Sequence, residues 1–158
     1  MVDPSYVMTA TVESVLSRWA ALEEILAALA KGSPCLRADG LWGSARALTV
    51  AAVLQRTGRA SLVLTPGPSQ RHQLAKDAEF FLSTLSGGSV DADAVGDGRV
   101  LEFPSGTGAS WRGNRHREPD AERALCCRRL LEGDGVAIVA TPSGLSIPVP
   151  PPSAFRRR

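Results

Sequence analysis

Two short apolar runs, Ala60-Ser61-Leu62-Val63-Leu64-Thr65 and Val136-Ala137-Ile138-Val139-Ala140-Thr141, most constrain what this chain can fold into. Each is too short for a helix, lacks polar alternation and is bounded by turn residues, which is the pattern of a strand buried in a parallel sheet. A parallel sheet needs crossover helices, and amphipathic stretches stand where crossovers belong. Residues 44–55 carry Ala47, Leu48, Val50, Ala51 and Leu54, and Thr57-Gly58-Arg59 closes that helix. After the break at Pro66-Gly67-Pro68-Ser69, residues 70–85 repeat the helical period through Leu74, Ala78, Phe81, Leu82 and Leu85. Arg99 to Phe103 reads as a third strand stopped by Pro104, and Ala121 to Glu132 as a helix capped by Asp120. Upstream, Cys35-Leu36-Arg37-Ala38 is a short strand candidate. The expected class is α/β, a three-layer α/β/α sandwich around a mostly parallel sheet.

That first strand candidate runs into Gly40-Leu41-Trp42-Gly43-Ser44-Ala45-Arg46-Ala47, which has the layout of a phosphate-binding loop without its chemistry. A working loop is G-x-x-x-x-G-K-[ST]: glycines let backbone N–H groups close on phosphate, Lys reaches the β/γ-phosphates and the hydroxyl ligates Mg²⁺. With Gly40 at the first position, Ala45 stands at the second Gly, Arg46 at the Lys and Ala47 at the Ser/Thr. A left-handed Ala45 would cost about 1–2 kcal/mol, Arg46 brings a broad fork in place of a compact ammonium, and Ala47 offers the metal no oxygen. The expectation is a degenerate Walker A loop that does not hydrolyse nucleotide, with Gly43 and Ser44 opening the next helix. A plain strand-to-helix turn accounts for the same letters. An active NTPase would also need an acidic pair after an apolar strand, but Thr65-Pro66 and Thr141-Pro142 stand there.

The remaining motifs are weaker. Residues 11–30 place Val12, Val15, Leu16, Trp19, Leu22, Ile25, Leu26 and Leu29 on one helical face, expected to pack on the sheet. Gly87 to Gly98 partly matches a calcium loop through Asp91, Asp93, Gly96 and Glu102, yet Val95 sits where an oxygen ligand belongs, so a solvent loop is expected. Residues 105–120 hold Trp111, Arg112, Arg115, His116 and Arg117, and with Arg128 and Arg129 on the next helix they are the candidate contacts to nucleic acid or a partner. A solvated surface is the favoured account of these residues, and of Arg123 and His72. Neither a nucleophile triad nor zinc-ligand spacing stands out, so no catalytic residue, metal or cofactor is expected.

Bulk properties narrow the class further. The chain has 158 residues, 44% of them hydrophobic, and 18 Lys+Arg against 16 Asp+Glu give a formal charge of +2. That balance does not suit a wholly basic nucleic-acid binder or a membrane-surface protein. Cys35, Cys126 and Cys127 are an odd set without metal spacing, as in a reducing compartment. With no secretory leader pattern at the start, a cytoplasmic location away from membranes is expected. The organisation expected is an N-terminal helix in residues 1–32, an α/β domain in residues 33–147 and a Pro/Arg-rich exit in residues 148–158, which suggests a fragment of a longer chain.

In order, the eroded loop GLWGSARAL, the strand SLVLTP, a helix with FFL, a strand ending in FP, a helix ending in RRLLEG and the strand VAIVATPSGL match one pattern. Over roughly residues 15–155 the chain resembles the N-terminal segment of the bacterial transcription-repair coupling factor, the part similar to the damage-binding B subunit of the excision nuclease. The resemblance implies a P-loop-type, helicase-like subdomain with a decayed Walker A. It implies a role in docking the excision-nuclease A subunit and in autoinhibition, alongside the rest of the coupling factor. In that family the A-subunit contacts come largely from a domain inserted after this segment, and translocase activity belongs to the longer parent.

Overall fold

The computed structural model describes residues 12, 14–33, 35–86, 98–105, 118–133 and 135–155. It is a mixed α/β structure with a small parallel sheet and helices on both faces. In chain order the elements are α1 (Ala20–Ala30), α2 (Ala45–Thr57), β1 (Ser61–Leu64), α3 (Pro68–Leu85), β2 (Val100–Glu102), α4 (Glu118–Glu132), β3 (Ala137–Ala140), α5 (Pro142–Leu145) and a 3₁₀ turn at Pro152–Phe155. The strand order is β1-β3-β2, with Leu62 and Leu101 both in register with Ile138.

The central strand is β3 because its sequence can be buried on both sides. Val136 through Ala140 are all buried, and successive side chains go to opposite layers. Ala137 meets Ala51 and Leu54 of α2 and Leu82 of α3. Ile138 and Ala140 face the other way, against Leu101, Phe103 and Cys126. Alanine at positions 51, 78 and 137 lets the helices seat close to the strand, and the large side chains Leu54, Leu82 and Ile138 fill the layers. Gly58 ends α2 in a left-handed conformation at φ 61°, its N–H bonded to the Leu54 carbonyl at 3.0 Å.

Several expectations need correction. Cys35-Leu36-Arg37-Ala38 is not a strand: residues 35–40 are exposed and outside the sheet. Leu36 alone gives that stretch no apolar face to bury, and Arg37 pairs with Asp39 in solvent at 3.0 Å. The strand-helix-strand unit expected around Gly40 is therefore missing its first strand. As a result β1 lies at the sheet edge, with Leu62 and Leu64 half exposed instead of buried.

The N-terminal helix is interrupted: residues 14–18 are helical, Trp19 leaves helical geometry at ψ 82°, and α1 starts at Ala20. Leu16 and Leu22 pack on Ala52 of α2, not on the sheet, while Val15 is left exposed. Helix α4 begins at Glu118, which puts Asp120 in the first turn instead of at the cap. Leu130 and Leu131 of this helix are exposed.

Candidate functional site

The Gly40–Ala47 loop is closed by its own backbone and side-chain bonds. Gly40 and Gly43 take positive φ of 79° and 52°, so the left-handed positions fall on glycines. Ala45 starts α2 and carries no left-handed strain, contrary to the cost anticipated from its Cβ. Its N–H donates to the Trp42 carbonyl at 3.1 Å, and the Leu48 N–H donates to Ser44 at 2.9 Å. Arg46, at the position of the phosphate-reaching Lys, folds back to donate Nε to the Leu41 carbonyl at 3.1 Å. Ser44 occupies the N-cap position without a side-chain capping bond, and Ala47 is buried. A nucleotide would have to displace these internal bonds at a loop that no strand supports. Trp42, in the middle of the loop, is 82% exposed.

The other expected contacts divide. Trp111, Arg112, Arg115 and Arg117 lie outside the described residues, as does most of the Gly87–Gly98 loop. Arg128 is an exposed partner of Glu132 at 3.5 Å, whereas the Nε of Arg129 is buried with no hydrogen-bond partner among the described residues. Arg123, expected on a solvated face, is 4% exposed. Its guanidinium lies 5.6 Å from the Phe103 ring centroid and donates to the Pro104 carbonyl at 3.1 Å.

A polar cluster that the sequence did not reveal sits at the carboxyl ends of the strands, where open α/β sheets bind ligands. Arg71, in the first turns of α3, donates Nε to Glu102 at 3.0 Å, and its NH1 donates to the Phe103 carbonyl at 3.0 Å and Ser105 Oγ at 2.9 Å. His72 Nδ1 meets the other Glu102 oxygen at 2.8 Å. The clue available in the sequence was positional: Arg71 and His72 follow a strand-helix turn, and Glu102 ends a strand. Thr65 Oγ1 donates within its own turn and to the Ala140 carbonyl at 3.3 Å, while Thr141 Oγ1 accepts from the Gly144 N–H at 3.2 Å. The donors and acceptors are thus bound to each other. The cluster fastens α3 to the end of β2.

A cavity of about 410 Å³ opens among Leu16, Ser17, Ala52, Gln55, Arg56 and Leu85. Its polar groups are also engaged: Ser17 with Ser14, Gln55 with Ser86 and Arg99, and Arg56 with Glu23 at 3.6 Å. Among the described residues no His, Cys, Asp or Glu cluster could hold a metal ion, and no helix is long and apolar enough to cross a membrane.

The cysteines differ sharply in environment. Burial, helped by neighbouring Cys127 and Glu122, pushes the Cys126 thiol up to about 12. Burial raises Cys127 as well, against the opposing pull of Arg123, and Cys35 is exposed. A folded-state pKa above the unfolded value means stability is intact below the unfolded pKa of 9.0 and is lost as pH rises toward about 12. Urea midpoints measured across that window should fall steadily, and Cys126→Ala should flatten the fall. An unchanged slope in the variant would assign it to other groups.

No family model matches the chain, and no curated protein or solved structure matches it either.

Proposed function

We propose that this chain is a non-catalytic, helicase-like α/β module of a transcription-repair coupling factor, working in the cytoplasm. It supports recruitment of the nucleotide-excision repair machinery and autoinhibition of the parent protein. The observation that carries the non-catalytic reading is the loop at Gly40–Ala47, whose Ala45 N–H and Arg46 Nε are bonded to the loop's own carbonyls. The finer assignment is supported by the order of sequence motifs from GLWGSARAL to VAIVATPSGL. On this reading the partners are the excision-nuclease A subunit, met together with the inserted domain, and the rest of the coupling factor. Exposed Trp42 is a suitable anchor for a protein contact, since aromatic side chains dominate such contacts. Contact with DNA through Arg112, Arg115 and Arg117 is secondary and weak.

Thermal unfolding with and without Mg-ATP tests the reading. A ligand present at 100 times its Kd adds about 2.7 kcal/mol to folding stability, so a bound nucleotide is easily seen. The expected result is an unchanged melting temperature. A rise that disappears in Arg46→Ala would overturn the non-catalytic reading.

A further inference from the structure

The two edges of the sheet are finished differently. At β2 the outward N–H of Val100 donates to Glu79 Oε2 at 2.9 Å, and the Glu102 carbonyl accepts from Cys126 Sγ at 3.5 Å. At β1 the Ser61 and Thr65 N–H groups donate to Val136 and Ala140 of the β3 side at 2.8 and 2.9 Å. A parallel ladder uses alternate residues, so Leu62 and Leu64 turn their backbone groups to the open side. No backbone or side-chain group of another described residue hydrogen-bonds to them there. Their side chains are 51% and 56% exposed. Edge strands are ordinarily guarded by lysine, inward charge, proline or a bulge. Ala60 through Thr65 contains no charge and no proline.

We infer that β1 is the pairing edge for a second copy of this chain, joined antiparallel across a two-fold axis with Leu62 opposite Leu64 of the second copy. This register pairs outward-facing residues with outward-facing residues, so each Leu62–Leu64 pair exchanges both of its hydrogen bonds. It gathers four half-exposed leucines on one face. Charge permits it: the nearest ionic residue, Arg59, falls opposite Gly67 of the second copy, so no like charges meet. Area sets its strength. A stable complex buries about 600 Å² or more per partner, and a four-residue edge with two leucines supplies a fraction of that, so the dimer is weak and concentration-dependent. The pairing is independent of the coupling-factor reading.

Sedimentation equilibrium from micromolar to millimolar protein tests it, with circular dichroism confirming that each variant is folded. Wild type should show a monomer–dimer equilibrium, and Leu62→Lys and Leu64→Lys should each weaken it at least tenfold. The register has its own test. Val63 falls on the two-fold axis in a pair with Cα atoms about 4.5 Å apart, within disulfide range. Val63→Cys in a Cys35→Ser background should therefore form an interchain disulfide under mild oxidation, and adding Leu62→Lys should suppress it. A chain that stays monomeric throughout, or a dimer indifferent to both lysine variants, would overturn the inference. Absence of the Val63→Cys disulfide would overturn the register.

Discussion

Truncating Ile138 to alanine is expected to lower the unfolding free energy by about 3 kcal/mol, within the range of about 2–5 kcal/mol for large-to-small core changes. Ile138 is 1% exposed and in register with both Leu62 and Leu101, so it sits at the middle of the middle strand. Its side chain belongs to the layer built from Leu101, Phe103, Cys126, Val136 and Ala140. The strands on either side are four and three residues long, which leaves little freedom to collapse onto the gap. Against a total of about 5–15 kcal/mol for a native domain, that loss is large. Urea unfolding followed by far-UV circular dichroism measures it, and a shift below about 1 kcal/mol would mean that the layer repacks.

Replacement of Arg99 by methionine should cost about 2–4 kcal/mol, since hydrogen bonds to charged groups contribute about 1.5–3 kcal/mol each and are not additive here. Arg99 precedes β2 and donates to three acceptors: the Gly135 carbonyl at 3.1 Å, Gln55 Oε1 at 3.1 Å and the Leu54 carbonyl at 3.4 Å. One cation thus joins the end of α2, the entry to β2 and the turn before β3. It also stands at the negative end of the α2 dipole. Methionine retains much of the aliphatic length but donates nothing, and the freed carbonyls lose a partner. If Arg99→Lys recovered most of the loss, a point charge at the helix end would suffice and the three-way fork would not be needed. The expected outcome is recovery of less than half.

How far these features could be read in advance depended on whether a residue's environment is set locally. Val136–Ala140 announced a buried strand because a short apolar run bounded by turn residues suits one, and Gly58 announced the end of α2 because a left-handed cap favours glycine. Pro104 marked where β2 stops. Cys35–Ala38 misled because strand propensity is a statement about a half-buried surface, and no neighbour offers Leu36 one. The burial of Leu62 and Leu64 was overestimated for the same reason: an apolar run does not reveal whether both of its sides will be covered. Arg123 and Arg71 were invisible because Phe103, Pro104 and Ser105, which receive their guanidinium groups, arrive from another part of the chain. At Gly40 the sequence shows which groups differ from a phosphate-binding loop, whereas the inward turn of Arg46 to Leu41 depends on the fold of the loop.

The carboxylate of Glu79 makes the two margins of this sheet unequal. By holding the outward Val100 amide, with Cys126 Sγ on the Glu102 carbonyl, it leaves the β2 margin fewer free backbone groups to offer a further strand than the β1 margin has. Both of those side chains reach across from helices, so the protection of this edge against strand-on-strand stacking is built by the helical layers and not by the strand's own sequence.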